Sequence, residues 1–270
     1  MKSFDNTNLY YIFNKRRKYV NTLIFLHGWG HNHTVWKKEI EFFNKKGYDT
    51  LALDLRGHGK SGKPKRLSDY SMNNFAKDIN EIIKKEKIEN PLLIGHSLGG
   101  MIILKFMELF PKKAKAIILI DTTYRNPWKD VQIMKQIKLN NFNKNLFKYI
   151  FKNRELMKKH FKEYGFSTKK GYNDLFYFIK GLNLTPTVSI LACLRDMLNF
   201  DATKILKKIN IPTLIIEGKS DYKTPMTVAR EMHKTIKNSK LSIIKGATHD
   251  TNILKPIKVN KEIDSFLNEI

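Results

Sequence analysis

Ser97 lies between two glycines in the sequence GHSLG, where an apolar run meets an amphipathic stretch. The run PLLIGH predicts a buried strand, and residues 98–110 predict a helix that ends at Pro111. Such a sharp strand-to-helix turn brings backbone segments close together, which Gly95 and Gly99 would allow. The turn would expose the serine hydroxyl near the positive end of the helix, as in a nucleophilic serine, although an ordinary glycine turn is the alternative.

A nucleophilic serine needs a base and a carboxylate that orients the base. His249, in GATHDTN, follows the last predicted strand, and Asp221, in EGKSDYKTP, follows the strand before it. Asp121, after an earlier strand, is an alternative acid. Asp250, beside the histidine, is expected to have a structural role in its loop. We therefore predict a catalytic triad of Ser97, His249 and Asp221, of the kind that transfers acyl groups.

The segment HGWG, residues 27–30, ends an early strand with two glycines. We expect the backbone N–H groups of Trp29 and Leu98 to form the oxyanion hole that stabilises the negative oxygen of an acyl-transfer intermediate. His27 is interpreted as a structural residue that binds loop backbone. His31 and His33 lack an accompanying glutamate motif or cysteine pair, so no metal site is predicted.

The elements that would position these residues alternate between short β-rich runs and amphipathic stretches, which is typical of a mainly parallel sheet covered by helices. Strands are predicted at 9–13, 22–28, 48–55, 91–96, 114–121, 211–218 and 240–246, and helices at 35–43, 71–88, 98–110, 225–236 and 256–270. The polar turn after the first strand predicts a hairpin with the second. Strand patterns are absent between 125 and about 208, which predicts a helical insertion in one sheet domain.

The chain is strongly basic, with 50 Lys and Arg against 25 Asp and Glu, a net charge of +25 over 270 residues. Residues 125–210 carry 18 basic and 6 acidic residues, a local excess of +12. Few aromatic residues are interleaved with the lysines, so we interpret the charge as a solvated surface and expect no nucleic-acid partner. An acidic partner protein is the alternative.

Cysteine content and hydropathy restrict the cellular setting. Cys193 is the only cysteine, so neither an intrachain disulfide nor a cysteine-based zinc site is possible. No segment approaches the roughly 18 consecutive apolar residues of a membrane span, and no apolar stretch follows the basic residues near the start. We expect a soluble, cytoplasmic protein without a membrane span.

Five motifs occur in order along nearly the whole chain: HGWG, DLRGHGKSGKP (54–64), GHSLGG, the aspartate of GKSD and the histidine of GATHD. Together they resemble the α/β-hydrolase superfamily. The resemblance implies a mostly parallel eight-stranded sheet flanked by helices, with a helical cap inserted after the sixth strand. The core would be 1–124 and 209–270 and the cap 125–208. Ser97, His249 and Asp221 match the family's triad, Trp29 and Leu98 match its oxyanion positions, and no cofactor is implied.

The resemblance also narrows the expected function to a serine esterase. Haloalkane dehalogenases and epoxide hydrolases of this fold use an aspartate nucleophile, whereas position 97 is serine. We expect hydrolysis of small-molecule carboxylic esters through an acyl-enzyme intermediate. Lactonase and thioesterase activities are alternatives. Another is an esterase whose acyl group sits on an acidic carrier protein, because HGWG also resembles the methyl ester esterase of biotin synthesis. A weakly active, ligand-sensing receptor of the same fold is the remaining alternative.

The insertion is rich in aromatic residues, which are abundant enough to line an apolar acyl pocket. They are Phe142, Phe147, Tyr149, Phe151, Phe161, Tyr164, Phe166, Phe176, Tyr177 and Phe178.

Overall fold

The computed structural model describes residues 1–16, 18–19, 21–127 and 185–270. Seven strands lie within these residues: β1 (Tyr10–Asn14), β2 (Asn21–Leu26), β3 (Asp49–Asp54), β4 (Asn90–His96), β5 (Ala116–Ile120), β6 (Thr213–Gly218) and β7 (Ser239–Ile244). They form one sheet in the order β1-β3-β2-β4-β5-β6-β7. The β1–β3 pair is antiparallel and the other pairs are parallel, which confirms the predicted mainly parallel sheet.

Helices cover both faces of the sheet. They are α1 (Lys37–Lys46), α2 (Met72–Lys85), α3 (Leu98–Leu109), α4 (Thr187–Leu198), α5 (Thr203–Leu206), α6 (Met226–Thr235), α7 (Thr251–Leu254) and α8 (Pro256–Leu267). Short 3-10 helices occupy His33–Trp36 and Leu67–Tyr70. One buried apolar cluster joins the sheet to α2, α3, α4 and α6, and a second joins its other face to α1 and α8. The sheet is therefore enclosed between two apolar layers, as an α/β architecture requires.

The central strands bring the loops of interest to one edge. The apolar sequences LLI in β4 and AIILI in β5 are fully buried, as is typical of strands that helices cover on both faces. In the parallel register, Gly95 lies opposite Leu26 on β2 and Leu119 on β5. The carboxyl ends of these strands thus align, and the loops that follow them meet above the same edge, where ligands bind in open α/β sheets.

The predicted hairpin between the first two strands is wrong. β1 pairs with β3, which lies between β1 and β2 in the sheet. β2 is almost fully buried and needs a strand on each side, whereas β1 is half-buried throughout and suits the edge. A polar turn and two β-rich runs indicate strands but do not determine which strands are neighbours.

The expected eighth strand and the insertion point also need correction. Before β1 the chain forms only an isolated bridge between Lys2 and Asn8, so the described residues contain seven strands rather than eight. The predicted insertion follows the fifth of these strands rather than a sixth. No strand forms in the described residues before β1 because a single bridge between two residues does not provide the continuous ladder of hydrogen bonds that a strand needs.

The ends of the predicted insertion are neighbours in space. Arg125 and Asp201 form an antiparallel bridge, and the Ala202 N–H donates to the Tyr124 carbonyl at 2.7 Å. Residues 128–184 lie outside the described residues, and with them all the aromatic residues predicted to line an acyl pocket. The cap boundaries at 125 and 208 stay a prediction.

Helix α4 belongs to the predicted insertion and packs on the core. The Ser189 hydroxyl on α4 donates to the Tyr70 hydroxyl at 2.8 Å, and Asp196 accepts from the Met72 N–H at 2.9 Å. Cys193, on the same helix, is fully buried, and this burial raises the pKa of its thiol. Among the helices described, none has both the length and the apolar composition needed to cross a bilayer.

Candidate active site

The turn at Ser97 has the tight geometry that its glycines predicted. Ser97 follows β4 directly and has φ 52° and ψ −115°, a conformation that side-chain-bearing residues rarely adopt, and α3 begins at the next residue. A Cβ atom on Gly95 would lie 2.5 Å from the backbone of Gly99, and one on Gly99 would lie 2.3 Å from the Leu26 carbonyl oxygen. Both contacts are too short for any side chain, so glycine is required at these positions for β2, β4 and α3 to pack this closely.

The three residues of the predicted triad meet above the carboxyl edge of the sheet. The Ser97 Oγ lies 2.9 Å from His249 Nε2, and His249 Nδ1 lies 2.7 Å from Asp221 Oδ2. These residues follow β4, β7 and β6 respectively, and 152 and 28 positions separate the members of the two pairs. The side chains of His249 and Asp221 are only 7% and 0% exposed, so water does not compete for their hydrogen bond.

Asp221 is held in place by donors from its own loop. The N–H groups of Lys223 and Thr224 donate to its Oδ1 at 2.7 and 3.0 Å, and the Thr224 hydroxyl donates to its Oδ2 at 2.8 Å. Burial by itself would raise the pKa of Asp221, but the interaction with His249 and these hydrogen bonds outweigh it and hold the pKa below its usual range. The carboxylate is therefore ionised and able to orient the imidazole. Thr224 was not singled out in the sequence, and its place three residues after the aspartate is the signal that points to it.

The HGWG loop lies against the serine turn. A Cβ atom on Gly28 would lie 2.7 Å from the His96 ring and 3.3 Å from the Cβ of Ser97, so the backbone of this loop passes directly beside the serine turn. His27 supports this loop: its Nδ1–H donates to the Gly28 carbonyl at 2.8 Å, and its Nε2 accepts from the Leu55 N–H at 3.0 Å. Burial lowers the pKa of His27 well below its ordinary value and keeps it neutral, in agreement with its structural interpretation. The oxyanion role of Trp29 and Leu98 stays a prediction.

His96, which sequence reasoning did not single out, binds the loop that carries His249 of the predicted triad. Its Nε2–H donates to the His249 carbonyl at 2.8 Å. Burial lowers the pKa of His96 to about 3, so the ring is neutral and has its proton on the nitrogen that faces the carbonyl. The position of His96, next to Ser97 at the end of a buried strand, could have indicated this role. Asp250 is buried 3.6 Å from the His96 Nε2, as a residue of the loop interior.

The alternative acid, Asp121, is placed differently. Its carboxylate accepts from the Gly218 N–H at 2.9 Å and from the Thr251 N–H at 2.8 Å, whereas the His249 ring faces Asp221. The structure therefore brings Asp221, and not Asp121, to the imidazole.

Two groups of side chains in the described part of the chain place potential metal ligands within 4.8 Å of one another. They are His31, His96 and Asp250, and Asp121, Glu217 and Asp221. Hydrogen bonds to the protein already occupy the His96 Nε2 and the oxygens of Asp221. A metal ion in the second group would have to displace the hydrogen bonds that hold Asp121 and Asp221, whereas both nitrogens of His31, the Nδ1 of His96 and both oxygens of Asp250 have no hydrogen-bond partner among the described residues.

The comparison with known proteins gives the family. The family model for the alpha/beta hydrolase fold matches residues 21–256. The chain belongs to the alpha/beta hydrolase family. This membership confirms the resemblance that the motifs carried, and it identifies the protein as a hydrolase.

Relatives of this alpha/beta hydrolase differ in the bond they cleave. A pimeloyl-[acyl-carrier protein] methyl ester esterase from Wigglesworthia glossinidia brevipalpis is 32% identical and aligns over 92% of this chain and 93% of its own. Epoxide hydrolase 1 from Caenorhabditis elegans is 24% identical over 92% of this chain and 65% of its own. The structure of an esterase from Exiguobacterium antarcticum has a TM-score of 0.82, with 23% identity and coverage of 99% and 98%. The family thus fixes the fold and the broad reaction class.

Proposed function

We propose that this alpha/beta hydrolase cleaves carboxylic esters, with Ser97 as the nucleophile. The observation that carries the proposal is the hydrogen-bonded line from the Ser97 Oγ through His249 to Asp221, with distances of 2.9 and 2.7 Å. An alcohol, an imidazole and a buried carboxylate in this order form the arrangement that activates a serine for acyl transfer. The serine at position 97 also argues against an epoxide hydrolase, since those of this fold use an aspartate nucleophile.

The reaction proceeds in two halves. The Ser97 Oγ attacks the ester carbonyl carbon while His249 Nε2 takes the hydroxyl proton. The backbone N–H groups of Trp29 and Leu98 bind the oxygen that becomes negative. The bond to the leaving oxygen breaks, and the alcohol departs with the proton from His249. A water molecule then attacks the acyl-enzyme carbonyl while His249 takes one of its protons. The bond between the acyl carbon and the Ser97 Oγ breaks, His249 returns the proton to the Oγ, and the carboxylic acid is released.

Asp221 orients the His249 base in both halves of the reaction, and the Thr224 hydroxyl donates to the Asp221 carboxylate. The ionised carboxylate accepts from the Nδ1–H of His249, and this fixes the tautomer in which Nε2 can accept the serine proton. When the imidazole becomes positive in each half-reaction, the buried negative charge stabilises it.

Lactones and thioesters present the same electrophilic carbonyl and are alternative substrates of this site. The segment 125–208 is proposed as the cap that bounds the acyl pocket.

Replacement of Ser97 tests the proposal. Hydrolysis of p-nitrophenyl butyrate by Ser97→Ala should fall at least about 10³-fold, because the covalent route is lost. Ser220→Ala, an exposed serine beside Asp221, is the matched control and should keep the wild-type rate. Equal initial rates for Ser97→Ala and the wild type, at equal concentrations of folded protein, would reject Ser97 as the nucleophile.

A second candidate is an esterase that acts on an acyl group attached to an acidic carrier protein. Two observations favour it: the relative named as a pimeloyl-[acyl-carrier protein] methyl ester esterase, and the excess of +12 over residues 125–210. Part of that charge lies in the described residues, where Lys204, Lys207 and Lys208 are exposed on and after α5. A basic surface of this kind would attract an acidic carrier from solution.

A further inference from the structure

The end of β5 contacts all three segments that carry the proposed triad. The Ile120 carbonyl accepts from the Ser97 N–H at 2.9 Å, and the Thr122 hydroxyl donates to the Ser97 carbonyl at 2.6 Å. Asp121, between them, binds the last residue of β6 and the segment that follows β7. Three consecutive residues therefore hold the serine turn and both loops of its partners.

The Asp121 carboxylate joins the two loops directly. Its Oδ1 accepts from the N–H of Gly218, at the end of β6, at 2.9 Å, and lies 2.9 Å from the Thr251 hydroxyl. Its Oδ2 accepts from the Thr251 N–H at 2.8 Å. Gly218 in turn accepts at its carbonyl from the Asp221 N–H at 3.0 Å, and Thr251 lies two residues after His249. One carboxylate thus links the segment of the acid to the segment of the base.

The backbone around this carboxylate is closely packed. Asp121 is fully buried and has φ 45°, an unusual value for a residue with a side chain, which aims the carboxylate between the two loops. A Cβ atom on Gly218 would lie 2.3 Å from the Thr248 carbonyl oxygen. The loops therefore touch at the point where Asp121 binds them.

The neighbouring charges distinguish this role from that of a second acid. Asp121, Glu217 and Asp221 place carboxylate oxygens within 4.8 Å of one another, and His96 Nε2 lies 3.9 Å from Asp121. Burial, and next the charge of Asp221, raise the pKa of both Asp121 and Glu217 well above their ordinary values. Asp221, whose pKa is lowered, retains the negative charge that faces His249.

We propose that Asp121 is a positioning residue that fixes the loops of Asp221 and His249 relative to each other, so that the imidazole stays aligned with both of its partners. This inference rests on the proposed function. Loss of the link would let the two loops separate by a fraction of an ångström while both stay attached to the sheet. The chemical step would then suffer more than substrate binding, because proton transfer depends on alignment and the Asp121 side chain is fully buried.

The test compares Asp121→Asn with Asp78→Asn. An asparagine keeps the shape but turns an N–H₂ group toward donors in either orientation, so the link is broken. Asp78 is the matched control: it is 2% exposed, accepts from the Arg56 guanidinium at 2.6 and 2.7 Å, and lies on α2, which carries no triad residue. Both variants should lower the melting temperature. Only Asp121→Asn should lower kcat for p-nitrophenyl butyrate, about 10- to 100-fold with KM within about twofold.

A second pair of variants guards against misfolding of Asp121→Asn. Thr251→Val removes the hydroxyl beside Asp121, and Thr251→Ser retains it. We expect the valine variant to react more slowly with a fluorophosphonate that labels Ser97, and the serine variant to restore the wild-type labelling rate.

Four results are decisive. Wild-type kcat in folded Asp121→Asn, or equal labelling rates in the two Thr251 variants, overturns the inference. An equal fall of kcat in Asp78→Asn would also overturn it, since the effect would then be general destabilisation. Full activity in Ser97→Ala would instead refute the proposed function. Only the Ser97 variant gives this result, so failure of the proposed function can be told apart from failure of the inference about Asp121.

Discussion

The backbone of Ser97 shows how a single residue can be held in an unfavourable conformation. With φ at 52° it lies in a region that costs a serine about 1 to 3 kcal/mol. Hydrogen bonds from its N–H to Ile120 and to its carbonyl from Thr122 offset this cost, and both partners belong to a buried strand end. The result is a hydroxyl whose oxygen lies 2.9 Å from His249 Nε2.

Glu39 offers a test of burial at the residue scale. Its carboxyl group is fully buried at the start of α1, has no hydrogen-bond partner among the described residues, and has a pKa raised by burial from 4.5 to about 8. The folded state therefore binds a proton that the unfolded chain releases, and stability falls as pH rises from about 4.5 to about 8. Glu39→Gln cannot ionise, so it should be more stable than the wild type at pH 7, by about 1 to 3 kcal/mol.

Urea unfolding at pH 5, 6, 7 and 8 measures this difference. The gain of Glu39→Gln over the wild type should be small at pH 5 and should grow steadily to pH 8. Glu41→Gln, on the same helix with a side chain that is 56% exposed, is the control and should show no such growth. A gain that is constant with pH would contradict a buried, protonated Glu39.

At the scale of the elements, close contact between α3 and the strand ends decides where the serine sits. α3 begins directly after Ser97, and its second residue, Gly99, touches the end of β2. The same short distance brings the HGWG loop beside the serine turn. Any side chain at position 99 must push α3 away from the end of β2, and this would separate the serine turn from the HGWG loop.

Gly99→Ala should therefore destabilise the protein by about 1 to 3 kcal/mol, the usual cost of overpacking, although alanine favours helix more than glycine does. The obstacle is a backbone carbonyl at 2.3 Å, which cannot move as a flexible side chain could. Urea unfolding gives the loss. Glu108→Ala, on the exposed face of the same helix, should change stability by less than about 0.5 kcal/mol. A comparably small effect of Gly99→Ala would refute the close contact.

At the scale of the whole molecule, the charge of +25 gives the protein a positive field that extends beyond any one site. A field of this sign raises the rate of encounter with acidic proteins and leaves neutral small molecules unaffected. The salt dependence of the rate therefore distinguishes a carrier-bound ester from a neutral small-molecule ester, because salt screens the attraction to an acidic carrier protein and has no such effect on a neutral molecule.

The carrier-protein candidate predicts a specific salt dependence. A pimeloyl methyl ester attached to an acyl carrier protein should be hydrolysed with a kcat/KM that falls about 3- to 10-fold between 0.05 and 0.3 M salt, while dimethyl pimelate is unaffected. Lys204→Glu, Lys207→Glu and Lys208→Glu together should produce a similar fall at low salt. The matched control reverses three exposed lysines of α2, which are Lys77, Lys84 and Lys85. Equal losses in both triple variants, or no salt effect, would count against a docking surface at α5.

Local patterns predicted most of the elements. The seven strands and the five helices for which bounds were predicted, α1, α2, α3, α6 and α8, begin and end within about three residues of their expected positions, because apolar periodicity and capping residues act over short distances. Strand neighbours were less predictable. The position of β1 beside β3 depends on the burial of β2, which no local pattern contains.

The amino-acid sequence by itself determined the family, and it limited the proposed triad to Ser97, His249 and either Asp221 or Asp121, because each of these residues stands at a recognisable place after a strand. Only the tertiary structure decided which acid faces His249, since Asp121 and Asp221 both follow parallel strands and differ in the partners that their loops bring. No local pattern points to Thr122, and His96 and Thr224 are related to the site only by their places in the chain beside Ser97 and Asp221. Their contacts depend on distances of 3.4 Å or less between segments that only the packing of the sheet brings together.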